Sequence, residues 1–274
     1  MMEVLKTKHL GFCFGVKRAI NIVLQEVEQN KEKIYTIGPI IHNPQMVEML
    51  NSKGIVPVED AFQIKNGTVV FRTHGIRKEE EEHIRKMGLK IIDTTCPFVK
   101  RVRRRAIFLK KNGYKVVIVG DKNHPEVKSV LSYLDNDGIV LQKPTSIQAK
   151  KVGVVSQTTQ DKDTFFNIVR ELVEGVEELR VYNTICESTE IRQEEAAMLS
   201  SMVDIMLVLG GKNSSNTTKL YNIVKKEQPN TYHIETERDI KPEWFSGLNR
   251  VGITGGASTP DHIIDIVERY VNNL

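Results

Sequence analysis

The sequence predicts an α/β fold made of three small units, each with a mostly parallel sheet and flanking helices. Two observations carry this prediction. Short apolar runs alternate with helical patterns, as they do in chains that form parallel βα units. The same order of elements also occurs three times, with a period of about 85 to 90 residues. We therefore expect three units related by a pseudo-threefold axis, with their polar turns gathered around a central site.

The composition is typical of a globular protein with a hydrophobic core. The chain has 274 residues, of which 40% are hydrophobic and 27% are charged, and its formal net charge is +4. That small positive charge suits an anionic ligand and does not single out nucleic acid. No apolar segment of a signal peptide stands at the N-terminus, and no apolar run reaches the ~18 residues of a membrane span. We expect a cytoplasmic monomer that does not bind a membrane.

In the first copy of the repeat, apolar residues at Val16, Ile20 and Val23 follow the spacing of a helix. Apolar runs that end in glycine, proline or polar turns predict strands. The elements predicted here are a helix over Gly15–Asn30, strand Lys33–Ile37, helix Gln45–Lys53, strand Thr68–Phe71, helix Arg77–Met87 and strand Leu89–Ile92.

The second and third copies repeat this order. The second is predicted to contain helix Lys100–Lys111, strands Lys115–Val119 and Lys151–Val155, and helix Asp163–Glu174. The third is predicted to contain helix Glu190–Met202, strands Asp204–Leu209 and Arg250–Ile253, and helix Asp261–Val271. Methionines 46 and 49, and 198 and 202, fall at helical spacing and are expected in the core. The predicted units are residues 14–95, 96–185 and 186–274, with 1–13 packing against the third.

Each of the three cysteines stands at the turn before a predicted helix. Cys13, Cys96 and Cys186 are the only cysteines, and they occupy equivalent positions in the three copies. Three convergent thiolates can bind zinc and leave one coordination position open. They can also hold three corners of an iron–sulfur cubane and leave the fourth iron open. A metal site fits this pattern better than three buried structural thiols do.

Polar residues follow the other strands of each copy. These turns supply His42, His74, His124, Ser214, Ser215, Asn216 and Ser258. Hydroxyl and amide groups, together with the N–H groups of helix N-termini, suit the oxygens of a phosphate. Glu126 lies in the same set of loops, beside the expected thiolates and anion, so we hypothesise that it keeps a proton near neutral pH and donates it. Thr158 could relay or orient that proton.

The run Lys100–Arg105 carries five basic residues. It has the charge of a nucleic-acid patch, but Val99, Val102 and Ala106 mark the buried face of a helix. The charges are therefore expected to form a solvated face or a docking site for an acidic electron carrier. We expect no nucleic acid partner.

Nine motifs, in order over essentially the whole chain, resemble those of the 4-hydroxy-3-methylbut-2-enyl diphosphate reductase family. One position departs from the family pattern: Ser188 stands where the family commonly has alanine. The motifs are Gly11-Phe12-Cys13-Phe14-Gly15-Val16-Lys17-Arg18-Ala19, Ile41-His42-Asn43-Pro44, Thr73-His74-Gly75, Asp93-Thr94-Thr95-Cys96-Pro97, Asn123-His124-Pro125-Glu126, Ser156-Gln157-Thr158-Thr159, Thr184-Ile185-Cys186 with Arg192-Gln193, Asn213-Ser214-Ser215-Asn216 and Gly255-Gly256-Ala257-Ser258.

The resemblance implies the last step of the non-mevalonate isoprenoid pathway. In that step (E)-4-hydroxy-3-methylbut-2-enyl diphosphate is reductively dehydroxylated to isopentenyl and dimethylallyl diphosphates, with two electrons and two protons. The resemblance also implies one 4Fe-4S cluster held by Cys13, Cys96 and Cys186, whose open fourth iron binds the substrate hydroxyl. A ferredoxin or flavodoxin is the expected electron donor.

The same resemblance implies roles for the polar turns. Glu126 would donate the proton that lets water leave, and Thr158 would orient that step. The diphosphate would be held by His42, His74, His124, Ser214, Ser215, Asn216 and Ser258.

Two other functions stay open from the residues alone. One is a zinc-dependent hydrolase that acts on a phosphorylated substrate through the same three cysteines. The other is a non-enzymatic iron–sulfur redox sensor that binds nucleic acid through Lys100–Arg105, with the steep salt dependence that phosphate contacts produce.

Overall fold

Three four-stranded sheets, each parallel throughout, form the framework of the chain. The computed structural model describes residues 2–29 and 32–274. Helices flank the sheets, so the predicted α/β class is confirmed. Met1 and Asn30, which fall in the predicted segments 1–13 and Gly15–Asn30, lie outside the described residues.

The first sheet has the strand order β3-β2-β4-β5. Its middle strand pair places Tyr35 opposite Val69. The elements up to this point in the chain are β1 (Glu3–Lys6), α1 (Phe14–Gln29), β2 (Ile34–Ile37), α2 (Pro44–Ser52), β3 (Ile55–Val58), β4 (Thr68–Phe71), α3 (Lys78–Lys86) and β5 (Lys90–Asp93).

The second sheet repeats this order as β7-β6-β8-β9. Its elements are α4 (Pro97–Lys111), β6 (Lys115–Val119), α5 (Pro125–Ser132), β7 (Gly138–Leu141), β8 (Ala149–Ser156), α6 (Lys162–Val173) and β9 (Val176–Val181). Alternate residues of β6 face opposite sides of the sheet, as the strand geometry requires. Val116 packs in the cluster that contains Val102 of α4, whereas Val117 packs in the one that contains Phe165 of α6.

The third sheet has the same order, β11-β10-β12-β1, but takes its last strand from the N-terminus of the chain. Leu5 of β1 pairs with Gly252 of β12. The segment that leads to Cys13 is therefore equivalent to β5 and β9, which lead to Cys96 and Cys186. The remaining elements are α7 (Glu187–Ser200), β10 (Ile205–Leu209), α8 (Ser215–Glu227), β11 (Thr231–Ile234), β12 (Arg250–Gly255) and α9 (Asp261–Asn272).

Backbone hydrogen bonds repeat with the sheets, although the sequences of the three copies differ. In each copy, a glycine follows directly after β2, β6 or β10. Its N–H donates to the last carbonyl of the adjacent edge strand, which is β3, β7 or β11. Glycine supplies the positive φ that this turn takes at Gly38 and Gly210. The three bonds are Gly38 N to Val58 O (2.8 Å), Gly120 N to Leu141 O (3.0 Å) and Gly210 N to Ile234 O (2.9 Å).

Internal contacts divide the chain into two compact units. The terminal unit contains Met1–Val16, His42–Met46 and Glu187–Leu274, and with them the third sheet. The middle unit contains Lys17–Ile41 and Val47–Cys186, and with them the first and second sheets. The finer boundaries expected from the repeat, 14–95, 96–185 and 186–274, stay a prediction.

The expected core position of Met198 and Met202 is wrong. Met198 and Met202 are 63% and 56% exposed. Met198 lies off the face of α7 that packs on the sheet, which carries Ala196 and Leu199, and Met202 lies beyond the end of the helix at Ser200. Methionine 46, in contrast, is buried as expected. Among the described residues, no helix combines the length and apolarity that a membrane crossing requires.

Candidate functional site

The three cysteines share one backbone geometry. Each lies directly before the first residue of a helix, and its N–H donates to a carbonyl in the loop after β4, β8 or β12. These loops are the ones that carry His74, Thr158 and Ser258. The bonds are Cys13 N to Ala257 O (3.1 Å), Cys96 N to Thr73 O (3.0 Å) and Cys186 N to Thr158 O (2.9 Å).

The thiol groups suit a metal centre with soft ligands. All three cysteines belong to the described part of the chain, where each is half-buried and outside any disulfide. Thiolates select zinc and iron–sulfur clusters over hard cations such as magnesium. The donor set therefore fits either metal chemistry considered from the sequence.

In the terminal unit, Arg192 of α7 fixes the loop that carries Cys13. Its guanidinium is buried and donates to three backbone carbonyls: His9 O at 2.5 Å, Gly11 O at 2.9 Å and Gly255 O at 3.3 Å. Charge-assisted bonds of this kind are among the stronger hydrogen bonds in proteins. Arg192 thus ties the approach to Cys13 to the end of β12.

Replacing Arg192 with methionine is expected to loosen this loop. Two buried carbonyls and one part-buried carbonyl lose their donor, which costs about 3 kcal/mol of unfolding free energy. In metal-free protein, amide hydrogen exchange over residues 9–13 should quicken, and urea unfolding should shift to lower midpoint. Arg269→Met, at an exposed position of α9 in the same unit, is the matched control and should change stability by less than about 0.5 kcal/mol. If the amides of residues 9–13 exchange at the same rate in Arg192→Met and Arg269→Met, the role given to Arg192 is contradicted.

A second loop of the terminal unit presents hydroxyl and amide groups. Ser214 is the N-cap of α8, and its Oγ accepts the N–H of Thr217 at 3.3 Å. Ser215 and Asn216 follow in the first turn, where backbone N–H groups face outward and favour an anion. Asn216 Nδ2 is buried and, within the described part of the chain, makes no hydrogen bond. A buried donor of this kind calls for an acceptor from a ligand.

Glycines allow other parts of the chain to approach this loop closely. A Cβ on Gly256 would lie 2.0 Å from Thr217 Oγ1, and a Cβ on Gly211 would lie 2.7 Å from His42 O. Ser258 Oγ lies 3.4 Å from the same His42 carbonyl. The terminal unit thus brings Ser258 and the His42 loop together.

The base of this loop is held by two side chains at the end of β11. The Lys212 N–H donates to Glu235 Oε1 at 2.7 Å, and His233 Nε2 lies 2.9 Å from Gly210 O. Burial lowers the pKa of His233, so the ring is neutral near pH 7 and donates its Nε2–H to that carbonyl. Sequence reasoning missed His233, because a lone histidine in a strand has no distinguishing pattern.

In the middle unit, Glu126 and Thr158 form a fully buried pair. The Thr158 N–H donates to Glu126 Oε1 at 2.7 Å, and the Thr158 hydroxyl donates to Oε2 at 2.6 Å. Glu126 is 1% exposed. Because Thr158 O also accepts the N–H of Cys186, one residue connects the carboxyl group to a cysteine turn.

His124 caps α5 and has a defined tautomer. Its Nδ1 accepts the Glu126 N–H at 3.2 Å, so the ring proton of the neutral form lies on Nε2, which is then a donor. The His74 ring stands edge-on to it, with ring centroids 5.3 Å apart. The middle unit therefore brings His74, His124, Glu126 and Thr158 into one neighbourhood.

The turn before Cys96 is held electrostatically. Asp93 Oδ1 accepts the Thr95 N–H at 2.9 Å, and Lys100 lies 2.5 Å from Oδ2. Burial by itself would raise the pKa of Asp93, but the bonds from Lys100 and Thr95 hold that pKa below its ordinary value. Asp93 is therefore ionised, and the charge of Lys100 is neutralised locally.

Two of the three cysteines have a threonine two residues before them, and sequence reasoning missed the role of these threonines. Thr94 Oγ1 donates to Phe71 O, and Thr184 Oγ1 donates to Ser156 O, both at 2.6 Å. Each bond ties the strand that enters the cysteine turn to its neighbour. The recurrence of threonine at this position in two of the copies was the available signal.

Comparison with known proteins places these features in one family. The family model described as LytB protein matches residues 4–272. A 4-hydroxy-3-methylbut-2-enyl diphosphate reductase of Aquifex aeolicus is 46% identical over 281 residues, which covers 100% of this chain and 97% of the relative. The protein of that name from Geobacter sulfurreducens is 44% identical, with 98% and 96% covered.

Solved structures agree with the sequence relatives. A structure of (E)-4-hydroxy-3-methyl-but-2-enyl diphosphate reductase, described as the terminal enzyme of the non-mevalonate pathway, is 46% identical, covers 100% of both chains and has a TM-score of 0.72. The E-1-hydroxy-2-methyl-but-2-enyl-4-diphosphate reductase of Plasmodium falciparum is 26% identical, with a TM-score of 0.91 over 100% of this chain and 88% of the other. With a family model that spans residues 4–272 and relatives that cover nearly all of the chain, the protein belongs to the LytB family.

Proposed function

We infer that this protein is an oxidoreductase of the non-mevalonate isoprenoid pathway that reductively dehydroxylates (E)-4-hydroxy-3-methylbut-2-enyl diphosphate. The relatives and the solved structure carry the name of this reductase. The substrate takes up two electrons and two protons and yields isopentenyl or dimethylallyl diphosphate plus one water. Neither the zinc hydrolase nor the nucleic-acid-binding sensor is supported by these relatives.

The observation that carries this function in the structure is the buried Glu126–Thr158 pair. Loss of a hydroxyl group as water is accelerated by a positioned proton donor, and burial keeps that donor out of contact with solvent. Glu126 is buried, and Thr158 holds both of its carboxyl oxygens in fixed positions. We assign Glu126 as the donor of that proton and Thr158 as the residue that orients it.

Cys13, Cys96 and Cys186 are assigned as the ligands of one 4Fe-4S cluster. Three thiolates leave the fourth iron without a protein ligand. When bound, such a cluster supplies single electrons and an open iron that can take the substrate hydroxyl. The contribution of the chain is to hold each thiolate at a helix N-terminus through its own backbone N–H bond.

The diphosphate is assigned to the hydroxyl, amide and imidazole donors of the polar turns. Asn216 Nδ2 is a buried donor that lacks an acceptor among the described residues, and the first turn of α8 offers backbone N–H groups beside it. His124 Nε2–H is a further donor. The full set is His42, His74, His124, Ser214, Ser215, Asn216 and Ser258.

The electron donor is proposed to be a ferredoxin or flavodoxin, since each turnover consumes two electrons. The monomeric state and the cytoplasmic location expected from the sequence stay predictions.

Turnover in D₂O tests this function. Of the two protons consumed, one leaves in water and the other is added to carbon. Each product molecule should therefore carry one deuterium on carbon when anaerobic enzyme is supplied with substrate and reduced methyl viologen in D₂O. Mass spectrometry of both products reads this out. Recovery of a free alcohol and inorganic phosphate or pyrophosphate instead would indicate hydrolysis and contradict the assignment.

Thr158→Val is expected to lower turnover by about 10- to 100-fold. The valine keeps the backbone N–H bond to Glu126 Oε1 but removes the hydroxyl bond to Oε2. Thr164→Val, at a partly buried position of α6 whose side chain takes no part in the assigned site, is the control. Wild-type turnover in Thr158→Val, measured at saturating reduced viologen, would show that the hydroxyl does not orient the proton donor.

A further inference from the structure

The exposed side of α4 carries a row of basic residues with one phenylalanine among them. We name Arg101, Arg104, Arg105, Phe108 and Lys111 the outer stripe, and all five are exposed. We propose that the outer stripe is the docking surface for a small acidic protein that carries single electrons. The inference rests on the proposed function, because it names the surface at which that reaction receives its reducing equivalents.

Helical spacing places the outer stripe on one face. Its positions follow i, i+3, i+4, i+7 and i+10, so they share one side of the helix. The opposite side is buried in the core of the second sheet through Val99, Val102, Ala106 and Leu109. The helix is thus anchored by its apolar face and presents the stripe as a rigid surface.

Charge on α4 is divided between two sets of residues. The helix contains seven basic residues and no acidic one. Three of the seven lie beside the outer stripe and are paired with acids, namely Lys100 with Asp93 (2.5 Å), Arg103 with Glu81 (3.6 Å) and Lys110 with Asp135 (3.1 Å).

The four basic residues of the stripe form no such pairs. Within the described residues, Arg101, Arg104, Arg105 and Lys111 have no acidic side chain within 4.0 Å. Like charges three and four residues apart on a helix repel each other and destabilise it. An ordinary solvated helix face would intersperse acids with these bases. A partner with negative charge removes the repulsion, which argues for a binding surface.

Aromatic rings contact guanidinium groups in and beside the outer stripe. The Arg105 guanidinium lies 4.6 Å from the centroid of the Tyr182 ring, and that of Arg180, a residue of β9 outside the stripe, lies 5.9 Å from the centroid of Phe108. Phe108 is 40% exposed. Arginine and aromatic residues are enriched at the centres of protein interfaces. Guanidinium groups that are ordered before binding lose less entropy on binding.

The position of α4 explains why the partner is an electron carrier. The helix begins directly after Cys96, an assigned cluster ligand, and Arg101 stacks over Phe98 in its first turns at 5.2 Å. Arg101 is five residues from Cys96, about 8 Å along the helix axis. A carrier bound at this end of the stripe is therefore close to Cys96, one of the three residues that would hold the cluster to be reduced.

The stoichiometry favours a weak, charge-steered contact. One substrate molecule takes two electrons and two protons, so two reduced one-electron carriers dock and leave oxidised in each turnover. Redox partners of this kind use small interfaces with fast exchange, and complementary charge raises their association rates. A row of unpaired arginines around one exposed phenylalanine has these properties.

The test compares a protein donor with a small-molecule donor. In the variant Arg104→Glu/Arg105→Glu, kcat/KM for a reduced acidic 2Fe-2S ferredoxin should fall by about 10- to 100-fold. Turnover with reduced methyl viologen, which needs no docking surface, should change less than about twofold. The matched control Lys53→Glu/Lys65→Glu makes the same change in charge at two exposed positions of the middle unit and should leave both rates unchanged.

A binding measurement makes the outcome independent of turnover. Oxidised ferredoxin should bind the wild-type protein. Its Kd should rise in the stripe variant by about the same factor as kcat/KM falls, and it should be unchanged in the control. Equal ferredoxin kinetics and Kd in wild type and stripe variant would overturn the proposal, as would equal losses in the control. Stripe-dependent binding of a DNA duplex, with ferredoxin kinetics unaffected, would reassign the surface to nucleic acid. Failure of the wild type with viologen would instead count against the proposed function.

Discussion

Glu126→Gln is expected to lower turnover by about 10³-fold while leaving the cluster and the fold intact. Positioned general acids contribute roughly 10²- to 10⁴-fold to such reactions. Glutamine has nearly the shape of glutamate and can still accept the Thr158 N–H, so the loss reports the missing proton. Single-turnover rates with excess reduced viologen, measured beside iron and sulfide content, give the result.

Two controls separate this role from a structural one. Glu177→Gln, at an exposed position of β9 in the same unit, should turn over at the wild-type rate. Glu126→Gln should keep wild-type iron content and thermal midpoint within a few degrees. A Glu126→Gln protein that retains more than about a tenth of wild-type turnover would remove Glu126 as the proton donor.

Cys96→Ser is expected to abolish both the cluster and turnover. Serine replaces a soft thiolate with a hard hydroxyl, and two thiolates remain for a cluster that needs three. Unfolding does not offer another explanation, because residue 96 is the N-cap of α4 and serine is among the most favoured N-cap residues. We expect iron and sulfide near zero, with a circular dichroism spectrum like that of the wild type.

Ser188→Ala provides a matched control beside another cysteine. It changes a small side chain in the first turn of α7 to the residue that the family commonly has there. Iron, sulfide and turnover should all stay at wild-type values. A Cys96→Ser protein with a full complement of iron and sulfide would show that Cys96 is not a ligand.

The buried strands were predictable because both of their faces are covered. Strands Thr68–Phe71 and Lys115–Val119 have the predicted bounds, and the structure buries nearly every residue of them. Central strands of parallel sheets appear as continuous apolar runs, which are the clearest local signal for a strand. The order of the repeat followed from these runs.

Edge strands gave weaker signals. β3 contains Pro57, and β7 begins with Gly138. Proline and glycine are both uncommon inside strands, so neither segment has the pattern of a typical strand. The pairing of β1 with β12 joins residues 3–6 to 250–253. Residues 1–13 were expected to pack against the third unit, but no local pattern could predict β12 as the partner strand, because that depends on where the two ends of the chain lie in the fold.

The site was predictable at the level of its turns, and less so in what holds them. The positions of the three cysteines follow from the repeat alone. The role of Arg192 does not, because its partners are backbone carbonyls at residues 9, 11 and 255, which any sequence would supply. Met198 illustrates a related limit of periodicity, which defines a face but not the side on which it packs.

The most direct test of the central claim is iron and sulfide analysis of the anaerobically purified protein, followed on the same sample by turnover of the allylic alcohol diphosphate with dithionite-reduced viologen. A cluster held by three cysteines predicts about four irons and four sulfides per chain, zinc near zero, and formation of both isopentenyl and dimethylallyl diphosphates. Zinc in place of iron and sulfide, or a complete cluster that converts none of the substrate, would contradict the claim.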